Sequence, residues 1–215
     1  MNEHTNLLEI KDLTVHYVTV DGTVHAVENL NLTLPEGKTL GLVGETGAGK
    51  TTTVKAIMQI LPDPPAKILT GEVIFCGEDL LKKNKKSMRK IRGKQISMIF
   101  QDPMTSLNPV ITVGEQIMEV IRLHDKKISK KDAYTKACEM LELVGIKADR
   151  AGDYPHQFSG GMKQRVVITM ALLCNPDLLI ADEPTTALDV TIQAQVLDIM
   201  MDLKKKFNMG LIMIT

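Results

Sequence analysis

Positions 44 to 51 read Gly44-Glu45-Thr46-Gly47-Ala48-Gly49-Lys50-Thr51. Two glycines bracket four residues and are followed by Lys and Thr, which is the pattern of a phosphate-binding loop. Glycines at these places allow positive φ, so backbone N–H groups can turn toward phosphate oxygens. A helix starting near Lys50 adds the positive end of its dipole. In such a loop the Lys50 ammonium reaches the β- and γ-phosphates and the Thr51 hydroxyl ligates magnesium. The plainer alternative is a glycine loop that merely fits a turn. The apolar run Thr39 to Val43 before it and the helical pattern after it supply the context that the phosphate reading requires.

A second stretch, Leu178-Leu179-Ile180-Ala181-Asp182-Glu183, is an apolar strand that ends in two acids. In an open α/β sheet, ligands bind outside the carboxyl ends of the strands. Asp182 is therefore a candidate for holding magnesium. Glu183 is a candidate general base for the attacking water. Alone, the pair would read as surface acids; beside a phosphate loop it reads as hydrolytic machinery.

A third stretch, Phe158-Ser159-Gly160-Gly161-Met162-Lys163-Gln164-Arg165, resembles the signature sequence of ABC ATPases, with Phe158 standing where Leu is commonest. Ser159, Gly160 and Gly161 at a helix tip would make a second anion-binding device in one chain. The resemblance implies two subunits facing head to tail, each nucleotide lying between the loop of one and the signature of the other. Further motifs follow in family order. Gln101 resembles the glutamine that touches magnesium and reports to membrane subunits, and Asp189 resembles the acid that crosses the dimer interface. Thr52 extends the nucleotide-binding set of Gly44 to Thr51. Tyr17 resembles the aromatic that stacks on adenine, although an aromatic at a strand end also reads as core.

The stretch Gln101-Asp102-Pro103-Met104-Thr105-Ser106-Leu107-Asn108-Pro109 resembles importers of dipeptides, oligopeptides and nickel, and so does Thr185-Thr186-Ala187-Leu188-Asp189-Val190-Thr191. Together these resemblances cover nearly the whole chain. They imply an ATP- and Mg2+-dependent motor subunit that hydrolyses ATP to ADP and phosphate. Its implied partners are transmembrane permeases, a second ATPase subunit (a homo- or heterodimer) and, indirectly, an extracytoplasmic substrate-binding protein. Its implied place is the cytoplasmic face of the membrane, peripherally attached.

Leu8 to Tyr17 and Thr23 to Leu34 read as strands of an antiparallel layer joined at Asp21-Gly22. Thr39 to Val43 and Ile96 to Phe100 read as strands buried on both faces. A helix is expected from Lys50 to about Leu61, ended by Pro62, and a strand from Gly71 to Leu80. Val113 to Val144 is helical: Ile117, Val120, Ile121 and His124 share one face, and Ala133, Ala137, Met140, Leu141 and Val144 another. Ser129 is its internal N-cap and Gly145 its C′ residue. A helix after Gly161, a helix from Asp189 to Phe207 and a strand from Leu211 to Thr215 complete the order. The fold class is α/β: a phosphate-loop core with a mostly parallel sheet, an N-terminal antiparallel layer and an inserted helical subdomain. The expected division is core and β layer over 1–111 and 158–215, with the helical subdomain over 112–157.

The bulk numbers agree. Lys and Arg total 26 against 26 Asp and Glu, and aromatic residues are 3% with no Trp. Neither a basic surface nor stacking platforms for nucleic acid are indicated. Cys76, Cys138 and Cys174 are scattered and odd in number, which suggests reduced, buried thiols. No apolar run is long enough to span a bilayer. The lysine- and arginine-rich run from Lys82 to Lys94 reads as a solvated face, His156 as structural, and the methionines as core filler. A non-transport ABC ATPase of the DNA-repair or ribosome-acting kind is the competing reading. It is disfavoured by the absence of sustained heptads between loop and signature. In ABC ATPases a histidine that contacts the γ-phosphate follows the last strand. The sequence stops at Thr215, before one, so the expectation is a shortened piece that binds nucleotide with little hydrolysis.

Overall fold

The computed structural model describes residues 6–101, 106–185 and 188–215. A long hairpin opens the chain. Strand β1 (Asn6–Thr19) pairs antiparallel with β2 (Gly22–Pro35) from Thr19↔Gly22 outward, so Val20 and Asp21 form the turn rather than Asp21-Gly22. Next come β3 (Thr39–Leu42), α1 (Lys50–Ile57), β4 (Ala66–Phe75), β5 (Glu78–Asp79) and α2 (Lys85–Ile91). Beyond β6 (Ile96–Ile99) lie α3 (Val113–His124) and α4 (Lys130–Leu143), then α5 (Gly160–Leu172), β7 (Leu178–Asp182), α6 (Val190–Phe207) and β8 (Gly210–Ile214).

These strands form two sheets. One is antiparallel in the order β2-β1-β4-β5; the other is parallel in the order β3-β8-β7-β6. Side chains alternate across a strand, so β6, β7 and β8 each feed two cores, whereas β3 adds Leu40 and Leu42 to one only. On β7, Leu178 and Ile180 pack with the antiparallel sheet and α1, while Leu179 and Ala181 pack with α3 to α6. All five β7 residues are buried, as expected of a strand covered on both faces. The result is an α/β fold in which the parallel sheet is sandwiched between an antiparallel layer and a helical layer.

The helical middle follows its signals. Ser129 caps α4 by accepting from the Asp132 N–H, and Gly145 takes φ 75° beyond its end. Thr112 caps α3 in the same way through the Glu115 N–H. Met88, Met200 and Met209 are fully buried core filler.

Five expectations are corrected. Strand β3 lies at the edge of its sheet and is only half-buried, with Val43 82% exposed, because it pairs on one side only, with β8. Helix α1 stops at Ile57, not near Leu61: Gln59 takes φ 49°, and the N–H groups of Met58, Gln59 and Ile60 close back on the last turn. Gly71 lies in the middle of β4, which runs antiparallel to β1. Leu80 opens a short 3-10 turn instead of ending that strand. Cys76 is exposed in the β4–β5 turn, whereas Cys138 and Cys174 are half-buried; all three are free thiols.

Candidate functional site

The loop between β3 and α1 bends back over the start of α1. Gly47 and Gly49 take φ 87° and 83°. A Cβ on Gly49 would lie 2.1 Å from the Ala26 carbonyl oxygen of β2. Glycine is thus required there twice, by its conformation and by the close approach of the antiparallel sheet. Gly49 is also the N-cap of α1 and offers no side-chain cap, so the first-turn N–H groups are open to an anion. Lys50 Nζ folds back onto the carbonyls of Gly44 and, at 3.0 Å, Glu45.

The parallel sheet delivers the acids to the same place. Thr51 Oγ1 donates to Asp182 Oδ1 at 3.1 Å, joining the first turn of α1 to the end of β7. Asp182 is 2% exposed. Its carboxyl is pushed above the ordinary value by burial, and the neighbouring Glu183 charge adds to the rise. The Thr51 hydrogen bond, Lys55 and Lys50 oppose it. Glu183 follows with φ 47°, and its N–H donates to the Ile214 carbonyl of β8 at 3.2 Å. A non-glycine residue in the left-handed region is uncommon and concentrates at functional sites. Gln101, just past β6, donates from Nε2 to Glu183 Oε2 at 2.9 Å. The backbone and side chains of Thr46 to Thr52, with Gln101 and Glu183, line one cleft of about 160 Å³.

The donors at this cleft suit a hard cation. A hydroxyl, a buried carboxylate and an amide oxygen are the oxygen ligands that magnesium prefers. Asp182 is a desolvated acid next to a second acid, an arrangement that a divalent cation would relieve.

Other residues singled out above lie elsewhere. The Tyr17 hydroxyl lies 3.3 Å from Thr52 Oγ1 in the first turn of α1. Ser159 caps α5, accepting from the Met162 N–H at 3.4 Å. Gly161 is buried, and a Cβ there would meet Ile192 Cγ2 of α6 at 2.5 Å. Asp189 caps α6 by accepting from the Ile192 N–H at 3.0 Å. Ser159, Gly160, Gly161, Asp189 and Tyr17 do not line the cleft. Of the two longer stretches quoted, 102–105 and 186–187 fall outside the described residues.

Two features escaped the sequence reading. The Ala26 carbonyl packs on Gly49 from a strand with no motif of its own. Phe100, next to Gln101, is 47% exposed and lines a second groove of about 350 Å³ with Met58, Ile60, Met98, Val167 and Met170. Phe100 directly follows the last residue of β6, and no sequence signal separates it from the buried apolar run before it. The basic run is partly neutralised, Lys82 by Glu72 and Asp79 and Lys83 by Glu78, while Arg92 stays charged and donates to the Met58 and Gln59 carbonyls.

Comparison with known proteins follows the same lines. The ABC transporter family profile matches residues 27–186. The oligopeptide transport ATP-binding protein OppD of Bacillus subtilis is 55% identical over 98% of this chain and 59% of its own length. The dipeptide transport ATP-binding protein DppD of the same organism is 51% identical over 97% of this chain and 63% of its own. OppD of Escherichia coli is 52% identical over 97% and 62% respectively. The chain thus spans about three fifths of the length of these relatives. Among solved structures, the ATP-binding cassette MJ0796, a dimer in a post-hydrolysis state bound to ADP and Pi, superposes with a TM-score of 0.84 at 27% identity. That superposition covers 97% of this chain and 87% of the cassette.

Proposed function

This chain belongs to the ABC transporter family, and from that premise we propose that it is the ATP-binding and hydrolysing motor of an importer of peptides, or of a related small cargo such as nickel. The observation that carries the reading is the convergence of residues 46–52, Gln101 and Glu183 on one cleft, with the buried Asp182 hydrogen-bonded to Thr51 beside it. Identity of 51–55% to relatives named for oligopeptide and dipeptide transport supports the cargo class.

In this reading the loop from Gly44 to Thr52 cradles the phosphates through backbone N–H groups and the dipole of α1. Lys50 exchanges the loop carbonyls for phosphate oxygens. Tyr17 supplies a face for the adenine. Thr51, Asp182 and Gln101 would hold magnesium, which neutralises phosphate charge when bound. Glu183 accepts a proton from the attacking water, and Gln101 holds the carboxylate in position. Ser159, Gly160, Gly161 and Asp189 lie off the cleft because they serve the nucleotide of a second subunit packed head to tail.

The remaining proposals follow from partners. No helix among the described residues is long and apolar enough to cross a membrane, so transport requires permease subunits. The exposed apolar groove at Phe100, adjacent to Gln101, supports a seat for them on the cytoplasmic face. The helical stretch 112–157 acts as a subdomain that relays closure, and a substrate-binding protein acts on the far side of the membrane.

The test is Glu183→Gln. With saturating ATP and magnesium the variant should run as a stable dimer in light scattering, while the unaltered chain cycles back to monomer. A variant that binds ATP yet stays monomeric overturns the head-to-tail reading.

A further inference from the structure

The β1–β2 hairpin carries a side-chain cluster that the nucleotide cleft does not use. His16 and His25 face each other across the strand pair. Their rings are stacked, with centroids 4.0 Å apart and planes inclined by 30°. Glu28, three residues beyond His25 on β2, turns one carboxylate oxygen toward both rings. Its Oε1 lies 2.5 Å from His16 Nε2 and 2.8 Å from His25 Nδ1. Among the described residues this is the one group of three His, Cys, Asp or Glu side chains whose ligand atoms all lie within 4.8 Å of one another.

The donor chemistry is specific. Two imidazole nitrogens and one carboxylate oxygen are the ligand set of open zinc sites, in which water fills a fourth position. Imidazole donors favour zinc, nickel and copper over magnesium or calcium. With metal–ligand bonds of about 2.0–2.1 Å, tetrahedral donors stand about 3.3 Å apart. The contacts of Glu28 with His16 and His25 would each open by less than about 1 Å to reach that spacing. From the turn at Thr19↔Gly22 the pairing runs regularly to His16↔His25, and the irregularity between Val15 and His16 follows directly after it. The His16 side chain is 15% exposed while His25 and Glu28 are open to water, so a cation has an entry path.

We propose that His16 Nε2, His25 Nδ1 and Glu28 Oε1 form a binding site for one divalent transition cation of the zinc class, distinct from the magnesium ligands of the nucleotide cleft. The cation staples β1 to β2 at the register pair beside Tyr17↔Val24.

The experiment uses the purified protein, stripped with a chelator and freed of nucleotide and magnesium, with zinc titrated against a chromophoric competitor at fixed neutral pH. One equivalent should bind with micromolar affinity or better. His25→Ala and Glu28→Gln should each weaken binding at least tenfold, the order of loss seen when a site's supporting groups are removed. Both residues are exposed, so these variants keep the fold; Asp182→Asn should leave the zinc affinity unchanged. Cobalt in place of zinc should give visible absorption without thiolate charge transfer, which separates this site from the free cysteines. No zinc bound at 100-fold over micromolar, or binding that survives in the His25→Ala, Glu28→Gln double variant, overturns the proposal.

Discussion

Gln101 Nε2 donates to Glu183 Oε2 at 2.9 Å, tying the end of β6 to the end of β7. The two strands are parallel neighbours in register, Ile99 opposite Ala181. The glutamine is therefore carried to the carboxylate by the sheet itself. A displacement of the segment after β6 would be felt at Glu183 through this bond.

The first prediction concerns that pair. Glu183→Gln removes the proton acceptor and should lower ATP turnover by roughly 10²–10⁴-fold, the usual worth of a positioned general base. Gln101→Ala leaves the acceptor but frees its carboxylate, so its loss should be smaller, about tenfold, or some 1.4 kcal/mol. Steady-state phosphate release with parallel ATP-binding isotherms separates the two. Equal losses in both variants would mean that the orienting bond and the magnesium contact of Gln101 together matter as much as the proton acceptor itself.

The second prediction concerns stability. Asp182 is buried, and its carboxyl titrates above the ordinary 3.8. Between that value and the raised native value the folded chain holds more protons than the unfolded one. Its nucleotide-free stability therefore falls as pH rises through this window and stays reduced above it. Asp182→Asn removes the buried charge and can still accept from Thr51. It should raise Tm at pH 7 by roughly 2–4 °C, the shift that about 1 kcal/mol gives a chain of this size. The advantage over the unaltered chain should shrink as pH is lowered toward 4. The same variant should lose magnesium-dependent turnover. Thermal scans across pH, without nucleotide, check the sign; a Tm lowered at neutral pH would refute it.

The third prediction concerns Lys50, which donates to the Gly44 and Glu45 carbonyls and so already sits at the mouth of the loop. Lys50→Ala should weaken ATP binding roughly 10- to 100-fold, the worth of a charge-assisted hydrogen bond of about 1.5–3 kcal/mol. The fold should be little affected, because the ammonium is not part of either core. Fluorescent-nucleotide titration with circular dichroism as control decides it; unchanged affinity would place the phosphates elsewhere.

Local signals were readable wherever the chemistry is contiguous. The glycine loop, the acids at the end of β7 and the Ser129 cap all lie within a few residues of what they act on. The bonds that assemble the site are not contiguous. Thr51–Asp182 and Gln101–Glu183 join residues 131 and 82 positions apart, and no short window contains them. Topology also decides what composition cannot. Thr39 to Leu42 has the residues of a covered strand, but its place at the sheet edge leaves it half-exposed. The end of α1 was misplaced because Gln59, not a glycine, takes the left-handed conformation. The His16–His25 pairing was latent in the hairpin, but only once the turn is set at Val20-Asp21 instead of one residue later.

The last prediction separates two roles of Gly161. The signature resemblance makes it part of an anion-binding helix tip, whereas in this chain its missing Cβ makes room for Ile192 Cγ2 of α6, at 2.5 Å. Ile192 is β-branched and sits in the first turn of a helix, so its rotamer has little freedom to yield. Gly161→Ala should therefore destabilise the chain by about 1–3 kcal/mol through overpacking, despite the better helix propensity of alanine. Ile192→Ala removes the obstructing methyl. In that background Gly161→Ala should cost nothing, and should gain up to about 1 kcal/mol from propensity. The added methyl points toward α6, so turnover should recover together with Tm in the double variant. Denaturant unfolding of the four-member cycle gives the coupling energy, and ATPase assays on the same samples give the function. A double variant with restored stability but no recovered turnover would show that the added methyl also obstructs the nucleotide that this helix tip serves in the second subunit.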